Sequence, residues 1–120
     1  MGTFHSNFGY VVAAANLAVG IWGVVLYRRR RPATRTYWIA LGAAWASIFI
    51  QGLLGLALFE DCQPPFKHHF YGFLFAIITL AVFPLRGEEP RRTLLVFSIA
   101  TLFIGIVAIR AILSFTGCGT

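Results

Sequence analysis

Charged residues are scarce in this sequence. Only 12% of the 120 residues are Asp, Glu, Lys or Arg, just four of these are acidic, and 58% of the chain is hydrophobic. A soluble globular chain has about 25% charged and about 45–50% apolar residues. The low charge and a mean hydropathy of +0.77 exclude an ordinary soluble domain and indicate a membrane protein. The length fits one domain, residues 1–120, with about four spans of about 20 residues each.

The chain also lacks the motifs of the common enzyme classes. It contains no C-x-x-C, no glycine-rich phosphate loop, no G-x-S-x-G and no H-E-x-x-H. The segments between the apolar runs are too short to form an aqueous cleft, so we expect no independent catalytic activity. The N-terminus has neither a basic n-region nor a small-residue cleavage site, which predicts that the first apolar run is a retained span.

Four apolar runs separated by polar turns predict an all-α fold, a membrane-spanning up-down four-helix bundle. The predicted helices cover residues 8–27, 36–59, 68–85 and 93–115. Prolines and arginines mark the ends of the first and third helices. Tyr37 and Trp38 open the second helix, where we expect them to be interfacial aromatic residues.

The arginines predict the orientation of the bundle. The net charge is +6, and eight of the ten cations lie in the loops after helices 1 and 3, which leaves Lys67 and Arg110 elsewhere. The positive-inside rule then places both loops in the cytoplasm and both termini outside, in the cytoplasmic membrane of a bacterium. We expect the lipid bilayer and a larger membrane complex as partners. No aromatic–basic interleaving supports a nucleic-acid partner.

The two cysteines, Cys62 and Cys118, fall on the same predicted outer face. That side of a bacterial membrane is oxidising, which allows a disulfide between the turn after helix 2 and the end of helix 4. Two free cysteines are the alternative.

Small and polar residues recur every three or four positions along one face of each predicted helix, which is typical of close packing in membranes. The face of helix 1 comprises His5, Gly9, Ala13, Asn16, Gly20, Gly23 and Tyr27. The face of helix 3 comprises His69, Gly72, Ala76 and Thr79, and that of helix 4 comprises Ser98, Thr101, Gly105 and Ala108. We expect Asn16 and Gln51 to form hydrogen bonds across the bundle, and a quinone pocket near Gln51 stays open.

The three histidines of the chain lie at the predicted outer ends of helices 1 and 3. Imidazole is a common axial ligand of haem iron, so the pattern predicts a b-type haem held between His5 and His69, with His68 as the alternative ligand. Gly9 and Gly72 each lie one turn from a histidine and would make room for a flat cofactor.

Two cations near the same end, Lys67 and Arg110, would meet the haem propionates. An arginine within a membrane span is energetically costly, so such a residue is first considered a candidate functional residue. For Arg110 the alternative is a side chain that extends to the outer surface, or one that pairs with Glu60 or Asp61.

Two further interpretations use the same residues. In a cofactor-free structural or assembly subunit, the histidines would be ordinary interfacial side chains. In an outer-face zinc or copper site, His5, His68 and His69 would join Glu60 and Asp61 as ligands.

The stretch from Gln51 to Phe73 resembles part of a known family. Its Q-G-L-L-G run, its polar turn with a cysteine and its H-H pair, together with the histidine that heads helix 1, resemble one half of a haem A synthase. In that family each half is a four-helix bundle with a haem between histidines of its first and third helices. The resemblance therefore implies haem ligation by His5 and by His68 or His69, as in b-type four-helix membrane cytochromes, and a role in electron transfer.

The sequence departs from that family before its first histidine, where the family has a glutamate and this chain has Thr3 and Phe4. The chain also corresponds to one half-bundle only. Its H-H-F-Y-G-F run is similar to one in small four-helix bacterial membrane proteins, a likeness that implies a family but no activity.

Overall fold

The computed structural model describes residues 2–57, 66–87 and 89–113, and its side chains are described for 7–55, 69–87 and 89–113. These residues form four α-helices and contain no strand. The helices are α1 (Gly2–Arg28), α2 (Arg35–Ala57), α3 (Phe66–Val82) and α4 (Pro90–Leu113), with a 3₁₀ turn at Phe83–Leu85. The predicted all-α fold is confirmed. The up-down arrangement across a membrane, with both termini outside, stays a prediction.

Three of the helices, α1, α2 and α4, are long and apolar enough to cross a membrane, whereas α3 is shorter. At about 1.5 Å per residue, a helix needs about 20 residues to cross the hydrocarbon core. α3 has 17 residues and gains length only from the 3₁₀ turn that follows it.

The starts of the helices are set by side-chain caps and by proline. The Thr34 hydroxyl accepts a hydrogen bond from the Tyr37 amide at 3.3 Å, which caps α2. The Glu89 carboxylate accepts hydrogen bonds from the amides of Arg91 at 3.1 Å and Arg92 at 2.5 Å. Pro90 takes the first helical position, where its missing N–H costs nothing. α4 therefore begins at Pro90 instead of the predicted residue 93.

α1 also begins earlier than predicted, at Gly2 instead of residue 8, because no proline interrupts the polar lead. It ends in a Schellman motif centred on Arg30, which has a φ of 55°. The amide of Arg31 donates to Leu26 O at 2.9 Å and that of Arg30 to Tyr27 O at 3.2 Å. An arginine takes the place that glycine normally fills, and Pro32 prevents the helix from continuing.

The end of α3 differs from the prediction because of one residue. Pro84 cannot donate an amide hydrogen bond to the helix, so the α-helix stops at Val82 and its last turn tightens into the 3₁₀ turn. The predicted end of α2 at residue 59 lies outside the described residues, as does the predicted end of α4 at residue 115.

α1 and α4 form the closest pair and run antiparallel. A Cβ added at Gly20 would lie 2.7 Å from the backbone nitrogen of Leu102, and one added at Gly105 would lie 3.0 Å from that of Leu17. At these positions a backbone of one helix lies directly against the other helix, as small residues permit in membranes. The small-residue faces predicted for helices 1 and 4 are thus confirmed as packing faces.

The other two helices flank this pair. α2 packs on α1 and α3 packs on α4, whereas α2 and α3 scarcely meet. Ile104 of α4 is fully buried at the centre of a cluster that draws on all four helices. Its buried members are Val12, Ala13, Ile48, Phe75, Ile104, Val107 and Ala108.

The surroundings of one aromatic residue and one glycine were not predicted. Tyr37 is 0% exposed because its ring packs between α1 and α4, and its position at the membrane interface stays a prediction. Gly72 was expected on the packing face of helix 3, but it is exposed. Thr79 is buried as predicted, and Phe75, which was not on the predicted face, is the other residue that α3 buries.

Candidate functional site

The histidine end of the molecule is the end at which α1 and α3 begin. Both helices run antiparallel to α4, and His5 is the fourth residue of α1 as His69 is of α3. The side chain of His69 is half-buried. The ligand set itself stays a prediction, as do the zinc or copper site and the disulfide, because several of their side chains lie outside the described part. These are His5, Glu60, Asp61, Cys62, Lys67, His68 and Cys118.

The two glycines predicted to make room for a haem have different surroundings. A Cβ added at Gly9 would lie 3.2 Å from Gln51 Nε2 and 3.6 Å from Ile112 Cγ1, so neighbouring side chains already fill this position. At Gly72 no described atom lies within 4 Å of an added Cβ. The described residues therefore provide no slot that Gly9 and Gly72 share, and these glycines do not support the haem prediction.

Arg110 is exposed in the last turn of α4. A cation there complements the negative end of the helix dipole, which gives this arginine a structural use without any ligand. Among the described residues there is no group of three or more His, Cys, Asp or Glu side chains that could hold a metal ion.

Several polar side chains join the helices inside the molecule. Asn16 is fully buried, and its Nδ2 donates to Val12 O at 2.8 Å and across to Ala44 O of α2 at 3.3 Å. The hydrogen bond predicted between helices is thus confirmed for Asn16. The Trp45 indole donates to the Thr101 hydroxyl at 3.1 Å, which links α2 to α4.

The buried pair of Tyr37 and Ser98 is a contact that sequence reasoning missed. Their oxygens lie 2.7 Å apart, and Gly23 of α1 faces both side chains so closely that a Cβ there would overlap them. The sequence features that could have indicated this contact are Gly23 in helix 1 and Ser98 in helix 4, which both lie on the predicted packing faces. Because a tyrosine so close to an arginine loop also suits the membrane interface, the pattern alone did not indicate that its side chain is buried between helices.

The arginine end is the opposite end, where the loops after α1 and α3 meet. The Arg91 guanidinium carbon lies 4.1 Å from the centre of the Tyr27 ring, which joins the start of α4 to the end of α1. Eight exposed arginines share this end: Arg28, Arg29, Arg30, Arg31, Arg35, Arg86, Arg91 and Arg92. The end is therefore strongly positive.

A half-open groove with a volume of about 370 Å³, here called the arginine-end cleft, lies between α2, the 3₁₀ turn and α4. Its volume lies in the range of about 300–1,000 Å³ typical of ligand pockets. Residues that define it include Trp38, Leu41, Trp45, Phe83, Arg86 and Phe97. Phe97 stacks on Trp45 at a centroid distance of 5.6 Å and meets Trp38 edge-on at 5.8 Å. No sequence pattern predicted this cleft.

Comparison with known proteins identifies no relative: no protein-family model, no curated protein and no solved structure matches the chain. The resemblance to haem A synthases therefore rests on the sequence features given above. The function is inferred below from the residues and contacts of this chain.

Proposed function

We propose that this protein is a small, cofactor-free structural subunit of a larger membrane complex, and that the side of α3 around Gly72 contacts its partner. The observation that carries the proposal is the exposure of Gly72 within a helix. A glycine inside a helix costs about 1 kcal/mol relative to alanine, so it is expected where another backbone comes close.

The buried glycines of α1 and α4 illustrate how the chain uses a missing side chain. Gly20 and Gly105 bring α1 and α4 together, and the position of Gly9 is filled by Gln51 and Ile112. Gly72 has no such neighbour among the described residues, and neither have Gly42 and Gly52 of α2, so the test has to compare the two helices. Gly72 leaves a notch, and the large apolar side chains exposed on roughly the same side of the helix include Phe73 and Leu80. Large apolar side chains suit lipid equally well, so the notch is the feature that favours a partner helix.

The test compares two exposed glycines. The full-length protein is purified in mild detergent, and co-purifying proteins are quantified by native electrophoresis and mass spectrometry. We expect Gly72→Leu to lower the recovery of the partner at least about fivefold, since overpacking an interface costs about 1–3 kcal/mol. Gly52→Leu on α2 is the matched control, because an added Cβ there also meets no described atom within 4 Å.

Two outcomes would contradict the proposal. One is a native protein that purifies as a monodisperse monomer without a partner. The other is an equal loss of the partner in both glycine variants, which would show that α3 has no special part in assembly.

A second candidate function is electron transfer through a b-type haem, within a complex of the same kind. The specific observation in its favour is that His5 and His69 occupy the same position, the fourth, in two helices that begin at one end. Their imidazoles would be the axial ligands, and Lys67 and Arg110 would neutralise the propionates. Such a haem supplies one-electron redox chemistry when bound.

A reduced-minus-oxidised absorption spectrum of the detergent-purified protein tests the haem. If it is bound as proposed, we expect a b-type band in the native protein that is lost in both His5→Ala and His69→Ala. His68→Ala is the matched control and should keep the band, and circular dichroism would verify that all variants are equally helical. A flat spectrum of the native protein would remove the haem and leave the structural subunit.

A further inference from the structure

The arginine-end cleft is distinct from the side of α3 proposed above as a protein contact and from the histidine end. We infer that this cleft binds one anionic phospholipid, with an acyl chain between α2 and the 3₁₀ turn and the phosphate on Arg86.

The cleft suits an acyl chain because of what lines it. Trp38, Leu41 and Trp45 line it on α2, and Phe83 lines it on the 3₁₀ turn. Phe97 of α4, which contacts both tryptophans, completes the apolar lining. Since α2 and α3 scarcely meet, no described residue fills the space between α2 and the 3₁₀ turn that follows α3. The cleft has a volume of about 370 Å³, is lined mostly by apolar side chains and is open at the side, so in a bilayer acyl chains have access to it.

Arg86 stands at the rim of the cleft in a defined position. Its guanidinium carbon lies 4.2 Å from the centre of the Phe83 ring, and its Nη1 donates to Phe83 O at 3.2 Å. Arginine has five N–H donors in a planar fork that matches the oxygens of a phosphate. Within the described residues this hydrogen bond uses one of them, which leaves donors for a phosphate at the mouth of the cleft.

The charge of this end selects an anionic headgroup over a zwitterionic one. Eight exposed arginines lie here, and the carboxylate of Glu89 is already bound to the amides of Arg91 and Arg92 at the start of α4. A phosphatidylcholine would bring its ammonium group to a positive surface. A phosphatidylglycerol brings no cation, and basic residues near a membrane surface attract such lipids.

Brominated lipids give a direct test, because bromine on an acyl chain quenches nearby tryptophans. The full-length protein is reconstituted into phosphatidylcholine vesicles that contain increasing amounts of dibrominated phosphatidylglycerol or dibrominated phosphatidylcholine. Two of the three tryptophans, Trp38 and Trp45, line the cleft. We expect the relative affinity for phosphatidylglycerol to exceed that for phosphatidylcholine at least about fivefold, as one arginine–headgroup contact provides.

Three variants separate a lipid site from a general effect of charge. Arg86→Gln should lower the preference for phosphatidylglycerol about fivefold, to near that of bulk lipid. Arg28→Gln removes the same charge from the same end but away from the cleft, and should change the preference less than about twofold. Gly42→Leu fills the cleft at a position where no described atom lies within 4 Å of an added Cβ, and should reduce quenching by both lipids.

Three results would overturn the inference. Equal quenching by the two brominated lipids would indicate ordinary lipid contact. Equal losses of preference in Arg86→Gln and Arg28→Gln would indicate the field of the whole arginine end. Unchanged quenching in Gly42→Leu would show that the acyl chain does not enter the cleft. These results are independent of whether a protein partner or a haem is found.

Discussion

Replacing Gly20 with alanine is expected to lower the free energy of unfolding by about 1–3 kcal/mol, because the added methyl group overpacks the contact between α1 and α4. The new Cβ would lie 2.7 Å from the backbone nitrogen of Leu102 and 3.0 Å from its Cα. A flexible side chain could move aside, but the backbone of a packed helix cannot do so alone. The two helices must therefore separate or slide.

The change would be measured by titrating the protein in mixed micelles with a denaturing detergent and following helical content and tryptophan fluorescence. Gly42→Ala is the matched control, since an added Cβ there meets no described atom within 4 Å and α2 is exposed at this position. Alanine is the better helix former by about 1 kcal/mol, so this variant should be as stable as the native protein or slightly more stable. If both variants lose stability equally, the close α1–α4 contact is not what stabilises the fold.

The second large effect is expected for Ile104→Ala, which should cost about 1–3 kcal/mol. Ile104 is 0% exposed and packs in the cluster shared by all four helices. In a soluble protein this truncation costs about 2–5 kcal/mol, part of which is transfer from water. Lipid is as apolar as the protein interior, so that part largely vanishes and the lost packing contacts remain.

Ile106→Ala removes the same atoms from the same helix and serves as the control. Ile106 is 53% exposed, so its truncation exchanges contacts with lipid or detergent and should change the stability by less than about 0.5 kcal/mol. The same detergent titration compares the two variants. Equal losses would contradict the buried position of Ile104 and with it the central place of α4 among the helices.

The four helices could be predicted from the sequence because helix formation here depends on local properties, namely hydropathy and the length of each apolar run. Apolar runs of membrane-spanning length form helices wherever water is absent, since the backbone must satisfy its own hydrogen bonds. Pro84 and Glu89 moved the boundaries of α3 and α4 by a few residues, since the prediction did not account for the 3₁₀ turn or for the cap. The packing role of Gly20 and Gly105 was also predictable, because small residues at regular spacing permit close approach.

Which side chains surround the candidate site residues could not be predicted from the sequence in the same way. Gly9 and Gly72 have the same spacing from a histidine in the sequence, yet one is filled by Gln51 and Ile112 and the other is exposed. A helix that is apolar on every side has no strong periodicity to show which side packs. The rotation of α3 is therefore set by its neighbours.

Three features could be read from the sequence: the all-helical fold, the concentration of charge in two arginine loops, and the glycines at which α1 and α4 pack. These features follow from local hydropathy, proline positions and residue size. Three others appear only in the folded molecule: Tyr37 is buried against Ser98, α2 and α3 stand apart, and Arg86 borders the cleft between α2, the 3₁₀ turn and α4. The physical reason is that these features depend on distances between helices, which are set by the packing of all the side chains together.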